Sequence, residues 1–192
     1  MKHRSSQTLF DHWSERRGER PLPERGEIDP GAIRGALGDT FVLAFSPLDE
    51  HPFRLAGTRI CSLLGRELKG TSFNRLWARP IAGIADLVRV AADESVGVVA
   101  GACGRTADGD ALDLELLLLP LRHWGRTHVR LIGTLAPLRN PYWAGAKPLG
   151  PLTLGEHRYV GGTMPGWNIA AGASDNVVRL RRKMIVHQGG QP

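Results

Sequence analysis

The sequence predicts an α+β domain: a five-stranded antiparallel sheet with helices on one face, an N-terminal helix and an irregular C-terminal extension. Three observations predict it. Residues 41–57 hold two short runs of aromatic and branched residues, "FVLAF" and "FRLAG", separated by the turn "PLDEHP". Residues 58–94 change to helical spacing, punctuated by glycines. Residues 96–138 return to strand alternation in three long runs joined by short turns, one of them the hairpin signal "ADGD". Two strands at one end and three at the other close into a single sheet, and the helices between them cover it.

The elements follow in order. Over 5–18, Leu9, Phe10 and Trp13 stand at i, i+1 and i+4 among Asp11, Glu15, Arg16 and Arg17, an amphipathic helix with Ser5 or Ser6 as cap and Gly18 as stop. After the loop "RPLPERG", Asp29 and Pro30 read as N-cap and first residue of a short helix. Thr58 opens "RICSLLG", which Gly65 ends. Thr71 or Ser72 opens "SFNRLW", and a longer helix runs from Pro80 to about Glu94 with Ile81, Ile84, Ala85, Val88 and Ala91 on one face. "VGVVAGACGRT", "ALDLELLLLPL" and "HVRLIGTLAPL" are the three late strands. From Arg139 the chain turns rich in Gly, Pro and Ala. The division is 1–27 for helix and linker, 28–139 for the domain and 140–192 for a basic extension.

Composition sets bounds. The chain has 192 residues, 42% of them hydrophobic, enough for a substantial core. Twenty-five Lys and Arg against 19 acids give +6, a bias toward acidic partners. Two cysteines, Cys61 and Cys103, in apolar contexts and outside any C-x-x-C pair read as small buried hydrophobes. The start of the chain lacks a signal-type apolar stretch, and the longest apolar run, Leu116 to Leu121, is far below a bilayer span, so the expectation is a cytoplasmic protein. The seven histidines are scattered with no Cys or carboxylate cluster to complete a metal site, and G-x-S-x-G and H-E-x-x-H are absent, so no catalytic or metal residues are assigned and a non-enzyme is expected.

The stretch "GRELKGTS", Gly65 to Ser72, nearly matches a phosphate loop. Thr71 stands where the loop lysine belongs, Lys69 precedes the second glycine, and helical spacing precedes the first. Gly65 and Gly70 are therefore read as helix-end and turn residues that need positive φ.

"FRLAGTRICSLLGRELKGTSFNRLW", with the later Gly-containing strand, "ELLLLPL" and "RLIGTLAPL", resembles a poorly characterised bacterial family of small single-PAS-domain proteins over about residues 5–140. The resemblance implies a sensory or regulatory module that acts through partners, including a signalling protein. Haem-binding PAS proteins use a histidine on the long helix before the third strand, and "PIAGIADLVRVAADES" has none; flavin-binding light sensors use a cysteine where this chain has "SFNRLW". No cofactor is assigned.

A ligand pocket between helices and sheet remains open. Its candidate residues are Arg54 and Arg59 beside the A-G-T turn, Arg66 in the glycine turn, Trp77, and Glu115, which shares a strand face with Asp113. These polar groups serve either structural pairs or a ligand. Leu9, Phe10 and Trp13 pack either on their own sheet or on a second subunit, and a homodimer is the expectation. Arg179, Arg181, Arg182 and Lys183 form a basic patch in a region holding six Lys or Arg and two acids. It is read as a solvated edge, with nucleic-acid or nucleotide binding as the alternative function, since its aromatic residues are not interleaved with the charges.

Overall fold

The structure, a computed structural model, describes residues 1–46, 50–123 and 126–161, with the side chains of 123–129 outside that description. The element order is α1 (Arg4–Arg17), β1 (Thr40–Ala44), β2 (Phe53–Ala56), α2 (Thr58–Leu64), α3 (Ala82–Asp93), β3 (Gly97–Arg105), β4 (Ala111–His123), β5 (Arg126–Pro137) and β6 (Thr153–Val160). Short 3-10 segments at Arg34–Asp39 and Phe73–Leu76 lead into β1 and α3. The sheet is antiparallel throughout, in the order β2-β1-β5-β4-β3-β6.

The expected five strands are thus six. β6 lies in the segment read as irregular extension, where its Gly and Glu-His content hides the alternation. Its partner is β3, with Val98 opposite Tyr159 and Ala102 opposite Leu154. The chain before it is also built into the domain. Leu149 N–H donates to Leu63 O, Gly150 N–H to Arg105 O and Leu152 N–H to Leu76 O, at 2.7–2.8 Å. Trp143, Leu149 and Leu152 join the core. Three backbone bonds and three large apolar side chains tie residues 143–152 between α2 and β3, so the irregular extension expected from residue 140 is corrected over 140–161.

Both faces of the sheet are covered: α2 and α3 lie on one face, as expected, and the N-terminal helix lies on the other. On one side, Leu112, Leu114, Leu116 and Leu118 of β4 meet α2 and α3 with Phe41, Phe53, Phe73 and Trp77. On the other, Leu117, Leu119 and Leu121 meet Leu9 and Trp13 of α1. This double burial explains why β4 alternates at its start and becomes wholly apolar. The aromatic centre is tight: Phe41, Phe53 and Phe73 lie 5.7–5.8 Å apart, and Trp77 stands edge-on to Phe73 at 5.7 Å.

α1 is a strap of the chain's own sheet. Leu9 and Trp13 are fully buried, Trp13 Nε1–H donates to Pro120 O at 2.9 Å, and Ser6 Oγ meets Thr134 Oγ1 at 2.9 Å. Arg17 lies over the Trp13 ring at 4.9 Å and donates to Gly161 O. Its N-cap is His3, whose Nδ1 accepts from Ser5 N–H, rather than either serine.

The glycine stretch is a joint. Gly65 ends α2 in the left-handed conformation (φ 64°) and Gly70 turns the chain at φ 82°. Glu67 Oε1 accepts from Leu68 and Lys69 N–H, which holds its carboxyl below the usual carboxylate range. Gly70 N–H donates to Phe53 O, and Phe53 N–H to Thr71 O, which pins the joint to β2.

Three predictions follow from this packing. Gly70→Val lowers stability by about 1–2 kcal/mol through backbone conformation alone, because a Cβ there meets nothing within 4 Å; Gly70→Asn falls between the two in urea denaturation, and a fully stable valine variant contradicts the turn. Leu9→Ala lowers stability by about 3 kcal/mol, equally at low and high protein concentration, whereas a loss that grows on dilution would show that Leu9 packs between copies. Burial depresses the pKa of His157, which stands edge-on to Tyr159 at 5.8 Å. The unfolded chain then binds more protons than the folded one below its ordinary value of 6.5. Stability therefore falls as pH drops through 6.5, and a His157→Phe variant loses less over that range in parallel melts.

Candidate functional site

The largest cavity described, about 980 Å³, opens where five segments meet: the start of α1, the turn and 3-10 segment before β1, α2, the end of β5, and the loop after it. Its volume lies at the upper end of small-molecule sites. His3, Arg4, Ser5 and Thr8 come from α1; Arg34, Gly35 and Asp39 from the 3-10 segment and its approach; Arg59, Ser62 and Leu63 from α2; Pro137, Leu138, Arg139, Asn140 and Ala144 from β5 and beyond.

Asp39 organises the site. It is 2% exposed, and its carboxylate accepts Arg59 Nε–H on Oδ1 and Arg59 Nη2–H on Oδ2, both at 2.7 Å. Ser5 Oγ–H donates to the same Oδ2 at 2.6 Å. The fork is bidentate, the geometry that makes an Arg–carboxylate pair strong and directional. Arg59 Nη2 also donates to Gly35 O at 3.2 Å. One carboxylate therefore holds α1, the 3-10 segment and α2 together, and the hydrogen bond to Asp39 raises the Arg59 pKa.

Local sequence explains the placement. Gly57 lets α2 start against the 3-10 segment, since a Cβ there would lie 2.3 Å from the carbonyl oxygens of Leu37 and Gly38. Gly38 lies under the Arg59 guanidinium, where a Cβ would come within 2.8 Å. Thr40 Oγ1–H donates to Ala36 O and fixes the turn from the 3-10 segment into β1.

The five candidate ligand residues do not converge. Arg59 lines the Asp39 cavity, with 55% of its side chain exposed. Glu115 lies on the α1 side of the sheet, 4% exposed, where it accepts from Lys2 and His3 N–H at 2.6 and 3.0 Å and anchors the start of the chain; Asp113 is exposed. Glu115 borders a separate cavity of about 430 Å³ with Gly101, Glu156 and His157. Trp77 is buried in the helix-side core, and its indole N–H has no partner among the described residues. Arg54 and Arg66 are exposed on β2 and in the glycine joint. Burial, with the nearby charges of Arg25 and Arg54, lowers the Arg130 pKa, so Arg54 belongs to a cationic group away from the cavity.

The space expected for a ligand, between helices and sheet, is filled by the aromatic centre. Of the candidate dimer residues, Leu9 and Trp13 are consumed by their own sheet, and Phe10 is half-buried, stacked on Trp13 at 6.1 Å. Arg179, Arg181, Arg182 and Lys183 lie outside the described residues. Cys61 is half-buried on α2, where burial raises its thiol pKa. Among the described residues there is no cluster of metal-ligating side chains and no helix long and apolar enough to cross a membrane.

The sequence reading missed Asp39, Ser5, Arg4, Arg34 and Arg139. Asp39 reads as a strand boundary residue. Its only sequence signal is an acid directly before a buried strand, and its partner stands 20 residues later.

No curated protein matches the chain. Solved structures resemble it at low identity: a light-oxygen-voltage domain studied with a flavin analogue (16% identity, TM-score 0.45, 60% of this chain and 87% of that one). A light-oxygen-voltage protein of Rhodobacter sphaeroides aligns at 21% identity and TM-score 0.42, over 57% of this chain and 65% of that one. An RNA-binding light-oxygen-voltage receptor aligns at 20% and 0.44, over 65% of this chain and 36% of that one. The sequence match is what assigns the family: the PAS domain model covers residues 1–136, from the N-terminal strap through β5, and the chain belongs to the PAS domain family.

Proposed function

We propose that this PAS domain is a non-enzymatic, cytoplasmic regulatory module that takes a small ligand in the Asp39–Arg59 cavity and passes the signal on by protein–protein contact. One observation carries the reading. The carboxylate that shapes the cavity also bonds Ser5 of α1 and Arg59 of α2, so occupancy at the mouth bears directly on the strap that covers the sheet. A ligand that binds one arrangement of α1 better than another shifts the population of that arrangement. Phe10, half-buried beside Trp13, belongs to the surface offered to a second copy or a signalling partner.

Native mass spectrometry of the full chain tests both parts. The expected spectrum holds a dimer that Phe10→Asp converts to monomer. It also holds a non-covalent small-molecule adduct that is lost when Arg59→Ala removes the guanidinium that pairs with Asp39 in the cavity. A ligand-free monomer at every concentration overturns the reading.

A further inference from the structure

We infer that the ligand of this cavity is a phosphate-bearing small molecule of nucleotide size, recognised by Arg4 and Arg34; the inference rests on the reading of the cavity as a ligand site. The cavity is lined by four arginines, Arg4, Arg34, Arg59 and Arg139, and by one carboxylate, Asp39. That carboxylate is already engaged by Arg59 and Ser5. Arg139 gives Nη2–H to Ala111 O at 2.8 Å. The side chains of Arg4 and Arg34 have no hydrogen-bond or ion-pair partner among the described residues, and both are exposed at the mouth.

Like charges gathered round one concave space repel, and neither a fold contact nor an acid offsets the two free guanidinium groups. An anion does. A guanidinium presents a planar fork of donors suited to phosphate oxygens. Arg59 Nη1 has no partner among the described residues either, while Nε and Nη2 are held by Asp39, so one edge of that fork is fixed and the other is free.

Two features select the class of anion. The arginines come from four separate segments, which suits several charged groups spread along a ligand better than one carboxylate. The remaining lining mixes polar residues, His3, Thr8, Ser62 and Asn140, with an apolar part made by Ala32, Leu63, Pro137, Leu138 and Ala144. A ring or similar apolar body can lie there while a phosphate chain meets the arginines, and about 980 Å³ accommodates both parts. The site is unrelated to "GRELKGTS": no residue of 65–72 lines the cavity.

Calorimetric titration of the full chain with ATP, pyrophosphate and adenosine tests the inference. ATP binding is expected, with pyrophosphate as competitor, adenosine at least tenfold weaker, and affinity that falls as salt rises. Arg4→Ala and Arg34→Ala each weaken ATP at least fivefold with unchanged melting temperatures, since neither side chain supports the fold. Equal binding of adenosine and ATP overturns the inference, as does ATP binding indifferent to both substitutions. ATP binding lost only when Arg179, Arg181, Arg182 and Lys183 are neutralised places the anion elsewhere and also overturns it. A retained uncharged adduct in native mass spectra, with no ATP or pyrophosphate binding, overturns the phosphate assignment while leaving the ligand-site reading intact.

Discussion

Three segments distant in sequence meet at the Asp39 carboxylate, and the architecture around the cavity depends on it. A carboxylate 2% exposed is tolerable only when its charge is answered, and here Arg59 supplies a two-pronged partner while Ser5 fills a further acceptor position. The arrangement is asymmetric: the acid is inside and much of the arginine is in solvent, which limits the desolvation cost to one side of the pair. Its value to the molecule is geometric. α1 must lie on one face of the sheet and α2 on the other side of the fold, and the carboxylate holds both ends against the entrance to β1.

The sheet supplies the rigid frame on which this hub operates. β4 is buried on both faces, so its register with β3 and β5 is fixed by apolar side chains pointing each way. β6 extends the sheet beside β3, and the segment before it is tied to α2 by Leu149 and to the 3-10 segment by Leu152. The described domain thus runs past the region shared with the PAS family, residues 1–136. The added strand covers the β3 edge, a position that unpaired backbone groups would otherwise leave open to association.

Much of this was legible in the sequence. Local signals gave β1, β2, α2, the glycine joint, α3 and the three long strands, because each rests on periodicity or on glycines that need positive φ at Gly65 and Gly70. β6 was hidden because "TLGEHRYV" alternates weakly, and its burial comes from β3 rather than from its own pattern. The helix-side pocket was expected by analogy of fold, but the size of Phe41, Phe53, Phe73 and Trp77 fills that space, a consequence of packing that composition does not reveal. Of the candidate site residues only Arg59 reached the main cavity. The others that matter there, Asp39 and Ser5, are separated by 34 residues, and no local pattern marks a pair that only tertiary structure creates.

The central claim is that Asp39 couples α1 to α2, and a double-mutant cycle on its two side-chain partners measures that coupling most directly. Ser5→Ala and Arg59→Gln are compared singly and together by urea denaturation. Both partners share Oδ2 of one carboxylate, so the account predicts non-additive losses, with a coupling energy of about 1 kcal/mol. Strict additivity, with the double variant losing the sum of the two singles, would contradict a shared hub and leave α1 and α2 as independent attachments.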